Sequence, residues 1–85
     1  MADLAFNYMV EAKRVEEALR VDFPFDTIDT NEGYLGRVHV KVVSKRFNGK
    51  NEAEKQQILW EILRRRLNED AQAVSLALAY GTDEL

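Results

Sequence analysis

The sequence predicts an α+β fold in the order helix, strand, strand, helix, strand, with a three-stranded mixed sheet and the helices on one face. Three observations carry this. Val38, Val40 and Val42 alternate with Arg37, His39 and Lys41, the period of two that a half-buried strand requires. Asn51-Glu52-Ala53-Glu54 has the form of a helix cap followed three residues later by an acid, and it opens a long amphipathic run. Two glycines, Gly33 and Gly36, punctuate the segment between two short strand-like runs, as a hairpin loop does.

The elements follow in order. Residues 3–20 predict an amphipathic helix with Asp3 as N-cap and Leu4, Tyr8, Ala12, Val15 and Leu19 as its apolar stripe, Ala5 and Met9 at the edge and Phe6 and Val10 off it. Pro24, the sole proline, disfavours helical geometry at Phe23 and ends the run. Residues 25–30 predict a first strand and 37–44 a second, joined by the 31–36 loop. Residues 52–67 predict a helix with Ile58, Leu59, Ile62, Leu63 and Leu67 inward and Trp60 at the margin. Glu52 and Glu54 sit at the positive end of its dipole, and Arg64, Arg65 and Arg66 at the negative end. Residues 71–80 predict the third strand. Its alternation reads as Val74, Leu76, Leu78 and Tyr80 toward the helices, with Ala73, Ser75, Ala77 and Ala79 on an open, flat face. A helical crossover makes this strand parallel to the second, with a right-handed connection.

Eighty-five residues are expected to form one domain, residues 1–85. With 46% hydrophobic and 32% charged residues, the composition is that of a folded globular chain rather than a disordered one. No apolar run is long enough to span a bilayer, no secretory leader is visible, and no cysteine is present; together these point to a cytoplasmic protein. The net charge of −3 hides a pattern. Residues 1–34 carry eight acids and three bases, residues 35–66 nine bases and three acids, and residues 67–85 four acids and no base. A basic middle between acidic flanks suits intramolecular attraction, or a surface for an acidic partner or nucleic acid.

No catalytic constellation stands out. His39 is the lone imidazole and the only candidate metal ligand, whereas a metal site needs several converging ligands. No phosphate-cradling loop, Cys-x-x-Cys pair or Ser/His/Asp set is present, so a non-enzymatic protein is expected. Gly33 and Gly36 spell GxxG, the spacing with which KH domains clamp a nucleic-acid backbone, but here it joins two strands rather than two helices.

The stretch Val38-His39-Val40-Lys41-Val42-Val43-Ser44, followed by Phe47-x-Gly49-Lys50, resembles the central signature of the BolA-like family. Lys55-Gln56-Gln57 stands where that family has a basic triplet, and Ala73-Val74-Ser75-Leu76 resembles its third strand; the match covers roughly residues 15–80. The resemblance implies a KH-like α+β fold and a non-enzymatic role. It also implies pairing with a monothiol glutaredoxin around a shared iron–sulfur cluster, or DNA binding in control of morphology and stress responses. Gln72 stands at the position of the family's histidine, and Tyr34 to Arg37 supply no cysteine or histidine in the hairpin loop, so the usual cluster ligands are absent.

The expected contact surface is the basic strand–turn–helix region: Arg37, His39, Lys41, Lys45, Arg46, Asn48, Gly49, Lys50 and Lys55. Its first expected occupant is an acidic or glutaredoxin-like protein. The alternative is DNA or RNA held in the groove around Asn48-Gly49-Lys50. No membrane contact is expected, and the chain is expected to be a monomer or, through an open edge strand, a weak homodimer.

Overall fold

A computed structural model describes residues 5–85. The order is helix α1 (Tyr8–Asp22), strand β1 (Thr27–Glu32), strand β2 (Val38–Val43), helix α2 (Glu52–Leu67) and strand β3 (Val74–Tyr80). The sheet order is β1-β2-β3, antiparallel between β1 and β2 and parallel between β2 and β3. The architecture is the expected α+β arrangement of two helices and a mixed open sheet.

Helix α1 begins five residues later than expected. The Asp3 cap and Leu4 of the expected stripe lie outside the described residues. Asn7 is the N-cap, accepting from the Val10 amide at 3.4 Å. The chain before it is committed elsewhere: the Phe6 amide donates to the Leu35 carbonyl at 2.8 Å, which ties the entry segment to the hairpin loop. Val15 and Leu19 are buried, Tyr8 and Ala12 pack beside them, and Met9 is exposed. Strand β1 starts two residues late because the Arg20 guanidinium holds the carbonyls of Phe23 and Asp26, which keeps 23–26 as a turn and leaves Phe25 in solvent. The hairpin closes with the Gly33 amide on the Arg37 carbonyl. Gly36, at φ +78°, sits where a Cβ would run into the Phe6 carbonyl oxygen.

Helix α2 has the bounds the sequence predicts. Asn51 and Glu54 form a reciprocal capping box at 2.8 and 2.9 Å, satisfying two otherwise orphaned amides. Val38, Val40 and Val42 point into the core, as expected, against Leu59, Ile62 and Leu63 of α2 and Val15 and Leu19 of α1. Phe23 and Phe47 close that core at one end, ring centroids 5.7 Å apart.

Strand β3 departs from expectation in two ways. It starts at Val74, because residues 68–73 are consumed by tight 3-10 turns. Its side-chain phase is also inverted beyond Val74. Val38 pairs with Val74 but His39 pairs with Leu76, so an extra residue is inserted on β3 at Ser75. A bulge of one residue turns every later side chain to the opposite face. Ala77 and Ala79 are therefore the buried pair, while Leu76 (43% exposed) and Leu78 (37%) lie on the open face. The parallel pairing places helix α2 close over this strand, where alanines fit and leucines do not.

Candidate functional site

The residues expected to form one basic surface are distributed over the length of β2. Arg37 and Lys45 flank opposite ends of the strand, roughly 26 Å apart by strand rise. The Arg37 guanidinium donates twice to the Gln72 carbonyl, at 2.6 and 3.0 Å, and lies over the Phe6 ring. His39 and Lys41 stand mid-sheet on the open face, where Lys41 pairs loosely with Asp29 at 3.9 Å. The His39 imidazole lies directly over the Cα of Gly33 and beside Ser75.

Lys55 is not available as a docking cation. Its residue is only 2% exposed, and Nζ is held by Glu84 at 2.8 Å and Glu52 at 2.9 Å. Those bonds, the one to Glu84 first, push its pKa up, and the same bond with the Gly81 amide holds the Glu84 carboxyl below its ordinary value. The cause is the chain's end. Residues 82–84 form a 3-10 turn that folds back over the turn before α2. Asn48 donates to the Thr82 hydroxyl and accepts from the Asp83 amide, and the Gly49 amide donates to the Asp83 carboxylate at 3.0 Å. The backbone donor that a phosphate would use at Gly49 is thus already taken by an acid. The sequence shows these residues only as a tail; nothing in its pattern foretells the fold-back.

Lys45, Arg46 and Lys50 are all exposed and lie on the two sides of the buried Phe47 along the chain. To them the fold adds residues that sequence reasoning assigned only to helix-end electrostatics. Asp22, at the end of α1, draws in Arg66 at 3.0 Å and Arg65 at 3.6 Å, and its backbone carbonyl accepts from Arg46 at 3.2 Å. Arg46 also stacks on the Phe23 ring at 4.8 Å. The Arg66 hydrogen bond, helped by the charges of Arg65 and Arg46, holds the Asp22 carboxyl below its ordinary value. Two guanidiniums share the Asp22 carboxylate and a third sits on its main-chain carbonyl, so this site keeps an excess of positive charge, with forked donors suited to carboxylate or phosphate.

The open face carries a broad depression bordered by His39, Lys41, Leu76, Leu78, Tyr80 and Leu85. Leu76 and Leu78 give it an apolar floor because of the Ser75 bulge, and Asp29, Asn31 and Glu84 add a polar border. Among the described residues no group of three His, Asp or Glu side chains gathers at metal-binding distance, and no helix is long and apolar enough to cross a membrane. The positions where the resemblance implies cluster ligands, Gln72 and the 34–37 loop, do come side by side, but through the Arg37-to-Gln72 bond. A guanidinium on a carbonyl is the wrong donor set for iron, so these residues do not fit a cluster. Comparison with protein-family models, curated proteins and solved structures finds no match to this chain.

Proposed function

We propose that this chain is a non-enzymatic binding protein that docks an acidic protein partner on the surface where Arg46, Arg65 and Arg66 meet Asp22, with Lys45 beside Arg46. The observation that carries this reading is the gathering of three arginines on Asp22, Arg65 and Arg66 at its carboxylate and Arg46 at its main-chain carbonyl, with Lys45, next to Arg46 in the chain, in no ion pair among the described residues. A chain of net charge −3 that concentrates cations at one end has a surface that steers an acidic patch and orients it. The BolA-like resemblance supplies the identity of the first partner to try, a monothiol glutaredoxin, and the place of the protein in iron–sulfur trafficking or stress and morphology control. The helix-strand-strand-helix-strand order supports that choice. Because the ligand positions do not fit iron, binding here needs no shared cluster.

The test is titration of the chain with a monothiol glutaredoxin lacking its cluster, read by calorimetry at low and moderate salt. A complex that weakens about tenfold in Lys45→Glu and in Arg65→Glu supports the reading, since each reversal places a like charge against the partner. No complex with any cluster state overturns the glutaredoxin assignment. A second reading, regulation through nucleic acid, is favoured by the exposed Lys45 and Lys50 on either side of the turn. It requires affinity for an oligonucleotide that falls steeply with log salt, with a slope that drops by roughly one unit when Lys45 or Lys50 is neutralised.

A further inference from the structure

The two edges of the sheet are built differently. Strand β1, Thr27–Glu32, carries Asp29 and Glu32, charges of the kind that blunt an edge against pairing. Strand β3 is the longest of the sheet, seven residues, and no charge occurs anywhere from Ala71 to Thr82. Among the described residues no strand pairs with its outer side.

The direction of its peptide groups follows from one hydrogen bond. Ser44 donates to the Tyr80 carbonyl, so Tyr80 faces β2. Alternation then turns Leu78 and Leu76 toward β2, and the peptide groups of Ala77 and Ala79 outward. Gln56, reaching from α2, donates to the Ala77 carbonyl at 2.8 Å, as an outward carbonyl allows. Gln56 takes one lone pair of that oxygen and leaves the second, together with the outward amides.

We propose that β3 is an assembly edge at which two copies of this chain pair antiparallel, with Leu78 opposite Leu78 of the second copy. In that register Ala77 faces Ala79 of the second copy, and each exchanges its outward amide and carbonyl with the other. On the open face Leu76 meets Tyr80 of the second copy, giving an aliphatic–aromatic ladder across the two-fold axis. On the helix face the alanines of the two strands meet, with Gln56 of each copy already lying on its own Ala77 carbonyl. A second copy suits this edge better than a charged strand does, because the segment is uncharged and its exposed leucines complement themselves. The acids on β1 oppose head-to-tail addition there, so the assembly closes as a dimer rather than growing into a filament. A strand pair with three large side chains from each copy lies at the low end of interface sizes, under about 1,200 Å², and gives a dimer that dissociates in the micromolar range.

The absence of cysteine makes the test direct. Leu78→Cys is oxidised mildly and followed on a non-reducing gel, with Asp29→Cys on the other edge as the collision control. The expected result is cross-linking of Leu78→Cys at least about tenfold faster than the control, since directly opposed non-hydrogen-bonded residues meet disulfide geometry. A mixture of Leu76→Cys with Tyr80→Cys is expected to cross-link faster than either variant alone. In parallel, sedimentation of the unmodified chain from about 1 to about 300 μM is expected to show a rise toward twice the monomer mass. Leu78→Lys, which sets two ammonium groups against each other, is expected to stay folded and monomeric. Equal cross-linking of Leu78→Cys and Asp29→Cys, or a monomer throughout the concentration series, overturns the proposal.

Discussion

The inverted phase of β3 is tested by a pair of substitutions, Ala77→Gln and Leu78→Gln. Ala77 is 2% exposed beneath α2, whereas Leu78 is 37% exposed on the open face. Full burial of a leucine side chain is worth roughly 1.5–3 kcal/mol, so a residue with this exposure gives up only part of that, and the glutamine stem covers some of the same surface; the net cost is about 1 kcal/mol. At Ala77, a glutamine adds volume to a filled site, about 1–3 kcal/mol, and buries an amide with no partner, about 1–3 kcal/mol more, for a sum near 4 kcal/mol. A domain of this size has on the order of 4–13 kcal/mol in all, so Ala77→Gln approaches unfolding and Leu78→Gln does not. Urea titration at about 1 μM, below the range of a micromolar dimer, followed by circular dichroism and the fluorescence of the sole tryptophan, measures both. Were Leu78→Gln the more damaging variant, the side-chain phase and the Ser75 bulge would both be wrong.

Three further outcomes follow from other parts of the fold. Gly36→Ala combines a positive φ with a collision against the Phe6 carbonyl and is expected to cost about 2 kcal/mol, read as a lowered thermal midpoint. Asp22 and Glu84 are both held below their ordinary values of 3.8 and 4.5, so each stabilises the fold above those values and loses that contribution as pH falls through its lower folded-state pKa. The urea midpoints of the wild type and Glu84→Gln are therefore expected to differ at pH 6 and to converge as pH falls through the lowered folded-state value of Glu84. Lys55 is shifted the other way: its contribution is complete below 10.5 and disappears as pH rises through its raised folded-state value, so Lys55→Met is expected to abolish the part of the alkaline loss of stability that this lysine causes.

The elements that depend on local chemistry were legible in the sequence. The Asn51 cap, its Glu54 partner and the Val38-Val40-Val42 alternation each act within a few residues, and all three stand as read. The start of α1 was not legible, because it is set by a bond from Phe6 to Leu35 across nearly thirty residues of chain. The face of β3 was misread for a different reason. Its apolar residues alternate with small ones that are equally at home in a core, so composition fixes neither phase, and one inserted residue at Ser75 decides it. At the candidate site, Lys45, Arg46 and Lys50 were found as a basic run. Arg65 and Arg66 joined them only through Asp22, which is far from both in sequence, and Lys55 left the set because the chain's end folds back to neutralise it.

The binding reading is tested most directly by backbone amide chemical-shift mapping of the labelled chain as unlabelled monothiol glutaredoxin is added. The result expected is a contiguous set of shifts at Asp22, Lys45, Arg46, Arg65 and Arg66 that shrinks as salt is raised, with the 33–37 loop unmoved. Shifts confined to the 33–37 loop and Gln72, or none at any ratio, would contradict it.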